Sequence, residues 1–316
     1  MPNRLTKGSL RIGERADGSV ISLPMMKYKG GPGPTVFIGA GIHGDELTGM
    51  ASLWKLQDYL EGKQIHGEIT ILPRMNPDGF NFNVRGIPET GVDLNRLFPG
   101  NREGFVSERL TAKIWEVAKK HDYIVDLHTM GWGIPLVLVD PLKGEIKRRT
   151  DDIADSTGIT VLDELPPEEY ALENLGSSFG AVAAQKGIPS ITIELGGAKA
   201  IDLDTVDAGY LAMRNFLAHI RVIDAPATKV TSCMVIRERG YRRKIIYCAK
   251  GGLVEYLVKP GNRCKKGSTI ARIRGHFGEV AEEVKMPEDG FVVALNSWST
   301  MHTGNYVATI AVRMKD

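Results

Sequence analysis

Up to about residue 222, short apolar runs alternate with stretches whose apolar residues fall three or four positions apart. Residues 35–38, 69–72, 123–127, 134–139 and 190–193 are such runs and predict strands, because a strand covered on both faces is apolar at every position. Between them, residues 46–60 carry Leu47, Met50, Leu53, Trp54 and Leu60 along one side and stop before Gly62, which predicts a helix. A second helix is expected over 108–120, with Leu110, Ile114, Val117 and Ala118 at helical spacing and Ser107 as its N-cap. Further helices are expected near 176–185, ending at Gly187, and over 205–220. Strands alternating with helices predict an α/β fold, a mixed and mostly parallel sheet covered by helices.

The two ends of the chain read differently. Residues 9–29 form an antiparallel hairpin pattern, with the turn dipeptide Asp17-Gly18 between β-leaning stretches. The helical pattern stops around 224–228, and from Lys229 onward only short alternating strands and glycine turns remain. Two units are therefore expected, an α/β unit over residues 1–225 and a small all-β barrel or sandwich over 226–316.

Composition narrows the functional classes. Lys+Arg 40 against Asp+Glu 38 leaves a net charge of +2, so no overall field would attract nucleic acid or an acidic membrane. No apolar run approaches the ~20 residues that span a bilayer, and MPNRLTKGSL lacks the apolar core of a secretion signal. Cys233, Cys248 and Cys264 are too few and too scattered for a disulfide framework or a paired-cysteine metal site. These features point to a cytoplasmic enzyme, and they leave homo-oligomerisation open.

The candidate chemistry gathers where predicted strands end. Residues 39–44 match G-x-G-x-x-G after a strand and before a helix. However, His43, Asp45 and Glu46 crowd the place of a pyrophosphate, and residues 69–72 end without the acidic residue that a ribose needs. A metal site suits these residues better. His43 and Glu46 supply an imidazole and a carboxylate, two of the three protein ligands typical of catalytic zinc. His128 closes the run 123–127 at an equivalent edge and is the third candidate, with Asp126 on the same face because strand side chains alternate. Glu194 ends the apolar run 190–193, where lost solvation would raise its pKa toward the range useful for acid–base work. Arg85, Asp93, Asn95 and Arg96 lie in one loop tract and add guanidinium groups suited to carboxylates and oxyanions.

Five motifs occur in order: GIHGDE (Gly41–Glu46), NPDGF (Asn76–Phe80), VDLNRLFPG (Val92–Gly100), DLHTMG (Asp126–Gly131) and IELGG (Ile193–Gly197). Together they resemble the succinylglutamate desuccinylase/aspartoacylase family of the zinc carboxypeptidase superfamily. The resemblance implies one Zn2+ per chain on His43, Glu46 and His128, with Glu194 as general base. It gives Arg85 the task of polarising the scissile carbonyl, with Arg74 and Arg102 as the alternatives for that arginine. It gives Asn95 and Arg96 the substrate carboxylate, and Asp93 the orientation of a ligand histidine. The implied reaction is zinc-dependent hydrolysis of the amide bond of an N-acyl amino acid or related small amine. The alternative is a zinc carboxypeptidase acting on short peptides or peptidoglycan fragments.

The C-terminal unit resembles a biotinyl/lipoyl-type barrel, but Lys285 precedes Met286-Pro287, outside the usual context of a modified lysine. A structural barrel is therefore expected, lying over the mouth of the site with Tyr241, Arg242, Arg243 and Tyr247.

Overall fold

The computed structural model describes residues 4–314. The N-terminal hairpin is β1 (Arg4–Glu14) and β2 (Val20–Lys29), turning through Gly18 at φ +80°. Then follow β3 (Gly31–Ala40), α1 (Thr48–Leu60), β4 (His66–Leu72), the short α2 (Pro77–Phe82) and α3 (Val106–Ala118). Next come β5 (Tyr123–His128), β6 (Trp132–Gly133), β7 (Leu136–Val139), α4 (Gly144–Ser156) and β8 (Thr160–Asp163). They lead into α5 (Pro167–Leu172), α6 (Phe179–Gln185), β9 (Ser190–Glu194) and α7 (Leu203–His219). The rest is strand: β10 (Tyr241–Tyr247), β11 (Gly252–Tyr256), β12 (Arg263–Cys264) and β13 (Thr269–Arg274). The chain closes with β14 (Val280–Lys285), β15 (Gly290–Leu295), β16 (Thr300–Met301) and β17 (Tyr306–Arg313).

The main sheet runs β1-β2-β4-β3-β5-β9-β7-β8-β10-β17-β15-β12. Its centre is parallel, with β3 between β4 and β5, β9 beside β5, and β7 beside β8. The hairpin, the β2–β4 pair and the β7–β9 pair are antiparallel, which makes the sheet mixed. The C-terminal strands are antiparallel among themselves. Some prolong the main sheet through β10, while β14-β13-β11-β16 form a second sheet.

The continuous apolar runs reflect burial on two sides. Val36 and Ile38 of β3, with Val125 and Leu127 of β5, face α1 and α7 through Met50, Leu53, Met213 and Phe216. Phe37 and Ile124 point the other way, into a core with Leu110 and Ile114 of α3 and Phe179 and Val182 of α6.

Several local expectations are corrected. α1 starts at Thr48, and Trp54, expected on its apolar side, is 57% exposed. Ser107 is not the cap of α3. The helix begins at Val106, and the Glu108 carboxylate accepts from the Phe105 N–H at 2.9 Å. α4, α5 and β8 occupy a region where no element was expected. α4 buries only Thr150, Ile153 and Ala154, too few for a readable apolar stripe, and β8 is four residues long. Among the described residues, no helix is long and apolar enough to cross a membrane, and all three cysteines are free.

Phe179 joins the second core together, with its ring 5.5 Å from Phe37, 4.8 Å from Phe98 and 6.4 Å from Trp115 between centroids. Phe179→Ala should lower unfolding free energy by ~3–5 kcal/mol, the scale for removing a buried aromatic ring. A urea titration followed by circular dichroism reads this as a drop in midpoint.

Candidate metal centre and active-site cavity

Three neighbouring strand ends build the site. β3 leads into His43 and Glu46, β5 ends on His128, and β9 ends on Glu194, which is in register with His128. All lie beyond carboxyl ends, where open α/β sheets bind ligands. The turn after β3 packs against α2. A Cβ on Gly44 would fall 1.9 Å from the Gly79 carbonyl carbon, so only glycine lets the two backbones approach. The last glycine of the G-x-G-x-x-G pattern therefore serves a close backbone contact.

His43, Glu46 and His128 are buried and converge. His43 Nδ1 lies 2.8 Å from Glu46 Oε1, His128 Nδ1 lies 3.1 Å from Glu46 Oε2, and the two Nδ1 atoms are 3.2 Å apart. The far nitrogens are occupied by carboxylates: His43 Nε2 is 3.1 Å from Asp93 Oδ1, and His128 Nε2 is 2.7 Å from Asp126 Oδ2. When the rings are neutral and give their Nε2–H groups to those carboxylates, the two Nδ1 lone pairs converge beside Glu46, as a metal ion needs. Against burial, Asp126 and Glu46 raise the His128 pKa well above its ordinary value, so the cluster favours positive charge between the rings, carried by protons or by a metal ion. Two imidazoles and a carboxylate, each ring held from behind by an acid, are a donor set that could hold a metal ion. The donor set therefore fits a metal ion.

Charges around the cluster agree. Burial works against ionisation of Glu46, yet His43 and His128 hold its carboxyl well below the usual range. Asp93 is likewise held down, against burial, by its bond to His43 and by Arg85 and Arg96. Glu194 behaves in the opposite way. Burial pushes it up to about 7, and the Glu46 charge adds to the shift although His128 opposes it. Its Oε2 is buried without a hydrogen-bond partner.

Arg85 bridges the loop to the cluster, with Nη1 3.3 Å from Glu46 Oε1 and Nη2 donating to Asp93 Oδ2 at 3.0 Å. The alternative arginines lie elsewhere. Arg74 stacks over Phe80 at 4.8 Å, and Arg102 pairs with Glu116 at the surface. Asn95 is already engaged, since its Oδ1 accepts from Phe179 N–H at 2.8 Å and its Nδ2 lies 3.4 Å from His128 Nε2. Arg96 donates through Nε to Glu173 O at 3.2 Å and through Nη1 to Asn95 O at 3.1 Å.

These residues line a cavity of about 530 Å³ that also takes in Asp140, Glu164, Tyr170, Arg243, Tyr247 and Tyr306. Of the four β10 residues expected over the mouth, Arg243 and Tyr247 line the cavity, and Tyr247 O–H donates to Glu173 Oε1 at 2.7 Å. Arg242 and Tyr241 do not line it. Arg242 falls on the alternate face of the strand, and Tyr241 sits at the far end with its ring 5.5 Å from Phe291. Lys285 ends β14 opposite Thr269, not at a hairpin tip.

Sequence reasoning placed Asp126 beside His128 without giving it a task, although the Asp-x-His spacing at a strand end was the signal. It missed Asp140, which directly follows the expected run 134–139, and Glu164 and Tyr170, which lie in the unrecognised stretch around β8 and α5.

Comparison with known proteins adds a family. Residues 32–220 match the model of the succinylglutamate desuccinylase/aspartoacylase catalytic domain, and residues 217–312 match a model described as an uncharacterized protein conserved in archaea. An N-alpha-acetyl-L-2,4-diaminobutyric acid deacetylase of Halomonas elongata is 26% identical, over 94% of this chain and 87% of that one. A succinylglutamate desuccinylase/aspartoacylase structure from Rhodobacter sphaeroides superposes with a TM-score of 0.83 at 25% identity, covering 99% of this chain and 96% of that one. The product-bound ectoine utilization protein EutE of Ruegeria pomeroyi gives a TM-score of 0.84 at 21% identity, covering 98% and 95%.

Asp126→Asn should leave the fold intact and weaken divalent-metal affinity by ~10–100-fold, the usual effect of losing a carboxylate behind a ligand histidine. Competition against a chromophoric chelator measures it, and unchanged affinity would remove Asp126 from the site.

Proposed function

The chain belongs to the succinylglutamate desuccinylase/aspartoacylase family, and from that premise we propose that it is a zinc-dependent amidohydrolase removing the acyl group of an N-acyl amino acid or related small amine. The observation that carries this reading is the 3.2 Å approach of two imidazole nitrogens beside a carboxylate, each ring fixed from behind by an acid. The donor set suits zinc, one ion per chain, on His43, Glu46 and His128. When bound, zinc supplies Lewis acidity, which polarises a carbonyl and lowers the pKa of water.

The protein's own groups do the rest. Glu194, with a free Oε2 and a pKa raised by burial to about 7, takes a proton from water and returns it to the leaving nitrogen. Arg85 directs its guanidinium at the oxygen that gains charge as the carbonyl is attacked. Asn95 and Arg96 hold the carboxylate side of the substrate, so that binding energy sets the carbonyl in place. The acetyl group and small amino acid named for the Halomonas elongata relative support a small acyl group here. A cavity of about 530 Å³, walled on one side by β10, suits such a substrate better than a long peptide. We divide the chain accordingly, with catalysis assigned to residues 1–225 and a β-rich unit to 226–316.

His43→Ala, Glu46→Ala and His128→Ala should each strip the zinc, as read by metal analysis of purified protein. Glu194→Gln should keep zinc while turnover of an N-acetyl amino acid falls by ~10²–10⁴-fold, the scale for a lost acid–base group. Full zinc in the three ligand variants, or near-normal turnover in the Glu194 variant, would sink these assignments.

A further inference from the structure

Arg243 is the first cavity-lining residue of β10, and it faces into the α/β unit. Its Nε lies 2.6 Å from Glu164 Oε1, with side chains only 13% and 6% exposed. Glu164 is itself fixed, because the same oxygen accepts from Leu165 N–H at 2.8 Å. The pair holds the guanidinium in place but satisfies little of it. The contact lacks hydrogen-bond alignment, Nε is a buried donor without a bonded acceptor, and among the described residues neither Nη nitrogen donates to the protein. Of its five N–H donors only the one on Nε is buried unpaired, whereas the two Nη groups are not and are free to meet a ligand in the cavity.

The other cavity arginines are better satisfied. Arg85 is spent on Asp93 and Glu46, and Arg96 on two backbone carbonyls. The acids facing Arg243 are also engaged: Asp140 accepts from Tyr170 O–H at 2.8 Å, and Glu173 accepts from Tyr247 O–H at 2.7 Å. Arg243 and Glu194 line the same cavity, and in the proposed reaction the leaving nitrogen meets Glu194. In an N-acyl α-amino acid the carboxylate is attached to the carbon next to that nitrogen, so it lies beside Glu194 as well.

We propose that Arg243, brought into the cavity by the C-terminal unit, grips the carboxylate of the amino-acid half of the substrate through its two Nη groups. The inference rests on the deacylase reading above and makes the β-rich unit part of substrate selection. Arg243 then adds a two-pronged contact to the carboxylate side of the substrate that Asn95 and Arg96 border.

The test compares an N-acetyl α-amino acid with its carboxamide, using zinc-loaded full-length protein. In the wild type the acid should be favoured in kcat/KM by about 10–100-fold, the scale of hydrogen bonds to a charged group. Arg243→Met should erase that ratio, mainly through KM for the acid, while the carboxamide rate changes little. Arg243→Lys should restore part of the preference, since the charge returns without the fork. Because Arg243→Met strands Glu164, the double variant Arg243→Met/Glu164→Gln should show the same lost ratio with an unchanged thermal transition. A retained acid-to-carboxamide ratio in these variants would overturn the proposal, as would a loss confined to N-succinyl over N-acetyl substrates, which would put Arg243 on the acyl half. If the wild type cleaves none of these amides, the deacylase reading fails by itself, and calorimetry with free amino acids then judges the subsite. Binding that disappears in Arg243→Met supports it, and equal or absent binding overturns it.

Discussion

The geometry of the site follows from two acids set behind two imidazoles. Asp93 and Asp126 take the outer nitrogens of His43 and His128, and this leaves the inner nitrogens 3.2 Å apart beside Glu46. Rings and a carboxylate held this close favour positive charge among them, and the strands must be rigid enough to keep the spacing. That rigidity comes from β3, β5 and β9, adjacent and parallel, each buried on both faces. The packing of Phe37, Ile38 and Leu127 therefore positions donor atoms as well as filling a core.

A second electrostatic contrast divides labour among the carboxyls. Glu46 and Asp93 are surrounded by histidine and arginine charge and stay ionised. Glu194 is only one strand away, yet burial without a hydrogen-bonded partner brings its pKa to about 7. Similar groups close together thus acquire different proton affinities from their surroundings.

Much of this was legible in the sequence because the informative residues end strongly apolar runs. His128 and Glu194 interrupt stretches that otherwise read as buried strand, and a polar group in that position needs a reason. The hairpin was legible from its turn dipeptide Asp17-Gly18, the central strands from unbroken apolar runs, and the helices α1, α3 and α7 from their helical period. What escaped was local and weakly patterned. α4 is polar on most of its surface, β8 is short, and Trp54 satisfies the helical period while facing solvent. The pairing of Arg243 with Glu164 joins two strand ends far apart in the chain, and no local pattern encodes such a contact.

The continuity of the main sheet bears on how substrate enters. β10 pairs with β8 through Arg242 and Asp163, β6 pairs with β15, and Ile134 N–H donates to Val293 O at 2.9 Å. The β-rich unit is therefore stitched along a seam of backbone hydrogen bonds and is not hung on a flexible linker. Swinging it away like a jaw would break that seam on every catalytic cycle. The mouth is bounded in part by the static pair Tyr247 and Glu173, joined at 2.7 Å. The chamber wall is thus continuous with the sheet that forms its floor, and β10 shapes the cavity as a fixed part of that sheet.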